Sequence, residues 1–227
     1  PAVERIETLM GKYGEEGNQL IFRILARGEA GKQGKTDLAL RYDLTVPLAR
    51  VVAMNQQLEL PFKRYQMQPV WRADRPQKGR FREFYQCDVD VVGSENRIAE
   101  VECITIVSEA LLALGFKQFV IRLNDRRILR AMVEQMDAAE RETDVLVAID
   151  KLDKIGEAGV RKLLLEQNFT ESQVDRLFDM LNTGNIDDVD EILQELKQIQ
   201  EWAYAMGVSS ERLKIDFTLA RGLNYYT

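Results

Sequence analysis

Between residues 62 and 91 the sequence sets Arg72, Arg80, Arg82, Phe84, Gln86 and Asp90 on even-numbered positions, together with Arg64, Gln66, Gln68, Asp74 and Asp88. Side chains alternate across a strand, so two strands joined at Arg75-Pro76-Gln77-Lys78-Gly79 would gather these groups on one face. Guanidinium forks at Arg72, Arg80 and Arg82 suit a bidentate grip on a triphosphate, which lysine matches less well. Phe84 offers a ring on which a base can stack. Gln86 and Asp90 offer an amide and a carboxylate to a polar small molecule carrying a positive amine. The competing description is a solvated sheet surface with ordinary charge pairing. The order of arginine, ring, amide and acid along one face puts the two descriptions near parity.

The rest of the composition narrows the chemistry. The 227 residues contain no histidine and two cysteines, Cys87 and Cys103. Imidazole general-base catalysis, Ser-His-Asp and Cys-His nucleophiles, the usual zinc sites and a disulfide framework are thereby excluded. What remains is positioning and electrostatic stabilisation by arginine, lysine, carboxylates, amides and rings. The net charge is −6, but it is unevenly spread. Residues 61–82 hold Lys63, Arg64, Arg72, Arg75, Lys78, Arg80 and Arg82 against Asp74 alone, and residues 83–102 hold six acids against Arg97. A cationic stretch feeding an acidic one fits a polyanion beside an amine, and equally two solvated faces of opposite sign. No apolar run reaches the roughly 18 residues a membrane span requires. The first residues carry neither a basic leader nor an apolar segment, so a cytoplasmic, non-secreted protein is expected.

Positioning these groups requires a frame. Residues 4–14 read as a short helix ended by Gly14 and Gly17. Leu20–Leu25 and Leu38–Arg41 read as strands around a Gly/Lys-rich connection from Gly28 to Thr36. Residues 44–58 read as a helix with Leu44, Pro47, Leu48, Val51 and Val52 on one face, Pro47 fitting only the first turn. In the central hairpin the odd positions Tyr65, Met67, Pro69, Trp71, Phe81, Tyr85, Cys87, Val89 and Val91 form the more apolar face. Pro69 implies an edge or a bulge. Residues 99–114 read as a helix closed by Gly115, residues 119–123 as a strand and 125–136 as a helix. From 140 to 207 helical patterns follow one another without a strand signal, with 16 acidic and 7 basic residues. This stretch is expected to be an all-helical insertion, dividing a core formed by 1–139 and 208–227. A strand over 213–219 precedes the last residues. The mixture predicts an α+β fold with an antiparallel sheet flanked by helices.

The run Trp71-Arg72-Ala73-Asp74-Arg75-Pro76-Gln77-Lys78-Gly79-Arg80-Phe81-Arg82-Glu83-Phe84-Tyr85-Gln86 resembles motif 2 of class II aminoacyl-tRNA synthetases in its histidyl form. Leu40-Arg41-Tyr42-Asp43-Leu44-Thr45 resembles that family's turn before motif 2, and Arg221-Gly222-Leu223-Asn224-Tyr225-Tyr226-Thr227 its histidine-specific signature. Pro1-Ala2-Val3-Glu4 looks like the tail of motif 1, a dimer-interface element. These segments stand in family order over essentially the whole chain.

The resemblance implies activation of histidine with Mg-ATP to histidyl-adenylate, then transfer to tRNA(His), by a homodimer, with Mg2+ accompanying the nucleotide and no resident metal. It implies that Arg72 and Arg221 are catalytic. Asp74, Arg80, Arg82 and Phe84 would join Arg72 on ATP. Asp43, Thr45, Gln86, Asp90, Arg221, Tyr225 and Tyr226 would bind histidine. Asp74 stands where the family more often has glutamate, and Asn224 where it has aspartate. Family members continue beyond this signature into motif 3 and an anticodon-binding domain, so the 227 residues alone are expected to be inactive. Two other relatives share the fold: the synthetase-like regulatory subunit of ATP phosphoribosyltransferase, and the synthetase-like sensor region of a stress kinase. Retention of Arg72, Arg80 and Arg221 favours the enzyme.

Overall fold

The computed structural model describes residues 1–10 and 19–221. The expected helix end at Gly14 and Gly17, and the positions Asn224, Tyr225 and Tyr226, lie outside the described residues. The chain divides into two compact units, Pro1–Glu95 and Asn96–Thr227. Both mix helices with strands, giving the α+β class.

In the first unit, β1 (Val3–Arg5), β2 (Arg23–Leu25) and β3 (Thr36–Leu40) form an antiparallel sheet in the order β1-β3-β2. The helix expected over 4–14 is therefore partly a strand. Val3–Arg5 extend because their backbone pairs with Leu38–Leu40, and such pairing outweighs a weak local helix preference. Helix α1 (Ile6–Leu9) starts only after it and buries Leu9 completely. The connection between β2 and β3 contains the single-turn helix α2 (Glu29–Lys32). Leu9, Ile21, Ala39 and Val46 make the small core of this unit. Helix α3 (Thr45–Met54) is shorter than expected and buries Val46, Pro47 and Leu48, while Val51 is 42% exposed. The buried stripe thus lies toward its first turn, where Pro47 requires no backbone donor.

The hairpin consists of β4 (Phe62–Trp71) and β5 (Glu83–Val92), in unbroken antiparallel register from Phe62↔Val92 to Trp71↔Glu83. Beyond it the Arg72 N–H donates to the Arg82 carbonyl, and Gln77 bridges Arg80. The Trp71 N–H points away from β5, to the Arg41 carbonyl. Pro69 shares that parity, so its missing N–H removes no bond from the β4–β5 ladder. The odd-numbered face is open: Tyr65 is 78% and Tyr85 72% exposed. The even-numbered face is the more covered of the two.

The second unit begins with α4 (Ile98–Ala113). Strands β6 (Ile121–Leu123) and β7 (Leu213–Ile215) pair in parallel, from Ile121↔Leu213 to Leu123↔Ile215. The strand expected over 213–219 ends early because Asp216 turns the chain: its carboxylate accepts from the Thr218 N–H and hydroxyl. Helices α5 (Arg126–Gln135), α6 (Glu142–Ile149), α7 (Leu152–Glu166), α8 (Glu171–Thr183) and α9 (Asp190–Ala205) follow β6. Their shared core contains Ile128, Met132, Leu146, Leu164, Leu177 and Phe178. A second cluster joins Val101 and Ile104 of α4 to Ile199 and Ala203 of α9 and to Leu213. Thr170 and Gln173 cap α8 reciprocally, a device that contributes about 1 kcal/mol.

Candidate functional site

Arg72 is held from three directions. Its Nε donates to the Tyr42 carbonyl at 3.3 Å, and its guanidinium lies 4.3 Å from the Tyr42 ring centroid and 5.2 Å from that of Phe84. The 41–45 turn itself is fixed to the hairpin. Buried Arg41 donates through Nε to the Pro69 carbonyl at 2.9 Å and lies 5.6 Å from the Trp71 ring centroid. Asp43 is also buried, and its carboxylate accepts the Val46 N–H at 3.0 Å, orienting the first turn of α3. Thr45 begins that helix. A planar cation between two rings, supported by a backbone carbonyl, has little rotational freedom to lose when an anion arrives.

Deeper along the hairpin, Arg64 is a hub. Its Nε pairs with Asp90 at 2.8 Å, its Nη1 donates to Gln66, and its Nη2 reaches the Leu44 carbonyl at 3.1 Å. The contact with Leu44 brings the α3 turn against the even-numbered face. Gln86 lies opposite Gln68 in register, and its buried Oε1 has no hydrogen-bond partner. A buried acceptor without a donor is costly unless a ligand or water supplies one. Between Gln86 and Asp90 sits Asp88. Burial first, and then the neighbouring Asp90 carboxylate, push the Asp88 carboxyl above its ordinary range; Asp43 adds to this, while Arg64 and Arg72 oppose it.

Of the sequence-predicted residues, Asp43, Arg72, Phe84, Gln86 and Asp90 therefore fall on the face made by the even positions and the 41–45 turn. Asp74, Arg80 and Arg82 form a separate group at the hairpin end: Arg80 stands 3.5 Å from Asp74, and Arg82 donates to the Asp74 carbonyl at 3.0 Å. Arg221 belongs to the second unit, where it pairs with Asp150 at 3.1 Å. The chain before it is closely tied. Asp216 N–H bonds to the Leu123 carbonyl, Asn124 donates to the Leu219 carbonyl at 3.1 Å, and Ala220 is buried. Sequence reasoning did not single out Tyr42, Arg64 or Asp88 as site residues. The even-position register held the signal for Arg64 and Asp88, while nothing in the spacing marked Tyr42.

Asp88 gives a direct test of this electrostatic picture. Its raised folded-state pKa means that its burial is harmless while the carboxyl is protonated and becomes destabilising as pH rises through that value. Asp88→Asn is therefore expected to stabilise the protein at neutral pH. The gain should shrink as pH falls toward the ordinary aspartate value of about 3.9. Urea midpoints across that range measure it; equal midpoints at pH 7 would contradict the assignment.

The family profile described as Histidyl-tRNA synthetase matches residues 1–227. Curated relatives named histidine–tRNA ligase include those of Christiangramia forsetii, 44% identical over all of this chain and 57% of the relative, and Porphyromonas gingivalis, 45% identical with the same coverage. Among solved structures, the histidyl-tRNA synthetase of a Nostoc species superposes with a TM-score of 0.77 at 33% identity, covering 100% of this chain and 54% of that one. A Bacillus halodurans protein titled an ATP phosphoribosyltransferase regulatory subunit/histidyl-tRNA synthetase superposes equally, at 0.77, with 25% identity, covering 100% of this chain and 60% of that one. The arrangement is thus that of a class II synthetase fold. The chain belongs to the histidyl-tRNA synthetase family, and it spans about 57% of the length of the curated relatives it matches.

Proposed function

We propose that this chain supplies the ATP- and histidine-binding part of a histidine–tRNA ligase. The observation that carries the proposal is Arg72, whose guanidinium lies over the Tyr42 and Phe84 rings on the face that also holds the unpartnered amide oxygen of Gln86. In this reading a carboxylate oxygen of histidine attacks the α-phosphorus of ATP, pyrophosphate leaves, and Arg72 and Arg221 stabilise the charge on the transferring group. Phe84 stacks on adenine, and Asp74, Arg80 and Arg82 contact the nucleotide. Asp43, Thr45, Gln86 and Asp90 hold the amino acid; Tyr225 and Tyr226 contribute to the imidazole site. A hydroxyl of the terminal ribose of tRNA(His) then attacks the acyl carbon of the adenylate, the acyl–phosphate bond breaks and AMP leaves.

Among the described residues no three His, Cys, Asp or Glu side chains stand together as a metal cage. Mg2+ enters this scheme with ATP, held mainly by phosphate oxygens and water. The 140–207 stretch is proposed as the helical insertion, and the β1 region as part of a homodimer contact in a cytoplasmic enzyme. No helix among the described residues is long and apolar enough to cross a membrane.

The regulatory-subunit reading fits less well, because curated relatives at 44–45% identity are named as ligases. The test is ATP–pyrophosphate exchange by the full-length polypeptide that contains this sequence. Histidine is expected to support exchange and other amino acids are not; binding of histidine without any exchange would favour the regulatory reading.

A further inference from the structure

The helical stretch from 140 to 207 is acidic, yet several of its acids are already committed. Glu142 lies 3.5 Å from Arg130, Asp150 3.1 Å from Arg221 and Asp153 2.6 Å from Arg122, and Glu195 pairs with both Arg97 and Arg127. Every one of these arginines lies outside the stretch. Its negative charge is therefore in part an internal clamp on the strands and helices that precede and follow it, which an isolated view of the charge count misses.

Two of these contacts come from one corner. Asp150 follows α6, its N–H bonded to the Leu146 carbonyl at 3.0 Å, and Asp153 lies in the first turn of α7. Gly156, at φ 69° and ψ 174°, breaks α7 just beyond, in a conformation that essentially only glycine adopts. The break sets the Asp150–Asp153 corner apart from the rest of α7. Arg122 joins that corner to the chain leading into Arg221, because it binds Asp153 on one side and Asp216 at 3.1 Å on the other.

Arg221 also lines a cavity of about 620 Å³ within the second unit, together with Glu100, Arg122, Asn124, Asp125 and Arg126. Arg221 is 62% exposed along its side chain. A long exposed side chain samples many rotamers unless something fixes it, and an ion pair at such a position contributes little to folding. The consequence of this contact falls on orientation instead.

We propose that Asp150 is a positioning residue for Arg221: the carboxylate at the corner between α6 and α7 restricts the directions the guanidinium can take. This rests on the proposed role of Arg221 at the histidine carboxylate and the α-phosphate. It makes the helical stretch part of the machinery for amino-acid activation, before any tRNA is present.

The test is a double-mutant cycle in the full-length polypeptide, read by ATP–pyrophosphate exchange with melting curves for each variant. Asp150→Asn is expected to lower kcat about two- to fivefold, the most that a largely exposed ion pair can impose on orientation, with KM for ATP and the melting temperature little changed. Asp150→Glu, which keeps the charge, should recover most of the rate. In an Arg221→Ala background Asp150→Asn should add nothing, because the group it positions is gone. Equal losses in both backgrounds, or a wild-type rate in Asp150→Asn while Arg221→Ala is crippled, overturn the positioning role alone. A wild-type rate in Arg221→Ala overturns the site assignment beneath it.

Discussion

In the full-length polypeptide that contains this sequence, Arg72→Ala is expected to lower kcat for histidine-dependent ATP–pyrophosphate exchange by about 10²–10³, the cost of removing one donor from the proposed charge-stabilising site. The expectation follows from how the side chain is held. Its guanidinium lies between the Tyr42 and Phe84 rings, and its Nε is committed to the Tyr42 carbonyl. In the proposed role it would be preorganised for catalysis: little reorganisation would accompany the build-up of charge on phosphorus. Losing the two ring contacts should cost stability only on the order of 1 kcal/mol, so a folded variant can be assayed. Arg72→Lys keeps the charge but not the planar fork that stacks between two rings. It should recover only a small part of the rate. A variant in which KM for ATP rises while kcat is unchanged would mean that Arg72 merely binds the ground state, and the role assigned here would fall.

The hairpin was legible because a strand has the simplest of periodicities. Even positions 64–70 and 84–90 share a face in the structure, as alternation requires, whereas Asp74, Arg80 and Arg82 lie beyond the paired strands, which end at Trp71 and Glu83. Several helices were readable for similar reasons. Ile98–Ala113 and Arg126–Gln135 match the expected spans to within two residues. What failed did so where a distant segment decides the local outcome. Val3–Arg5 became a strand because Leu38–Leu40 lie alongside. The strand expected over 213–219 was cut short by the Asp216 side chain bonding to Thr218. Parallel pairing of β6 with β7 joins segments about ninety residues apart in sequence, which no local pattern announces.

The candidate site shows the same division. Residue types along the even face could be read as chemistry, but their pairing could not. Asp90 was legible as a carboxylate for an amine, yet not as the partner of Arg64, because strand register fixes that pair and composition does not. The sequence shows 16 acidic and 7 basic residues over 140–207. The engagement of Arg97, Arg122, Arg127, Arg130 and Arg221 by several of these acids appears only when the helices are placed. In both cases the sequence supplies the charges, and tertiary structure decides which of them are left for a ligand.

Asp90 carries the second large expectation, and its present partner sharpens the argument. The ion pair joins Asp90 Oδ2 to Arg64 Nε at 2.8 Å, with both side chains largely covered. An ionised carboxylate offers about four lone-pair sites, so one arginine does not exhaust it, and an ammonium group can share the same carboxylate. A charge-assisted hydrogen bond contributes about 1.5–3 kcal/mol. Asp90→Asn, which keeps the shape and removes the charge, is therefore expected to raise KM for histidine by about 10–100-fold while leaving KM for ATP near its original value. Asp90→Ala should do the same and also destabilise the first unit by about 2 kcal/mol, since Arg64 would keep its covered charge without a carboxylate partner. Arg64→Met separates the two roles. Alone it should destabilise the hairpin with a modest effect on histidine, because the carboxylate remains. Combined with Asp90→Leu it should restore much of the stability and none of the histidine affinity. Steady-state exchange kinetics and urea melts on the four variants decide the matter: recovery of histidine affinity in the apolar pair would show that Asp90 serves only the fold.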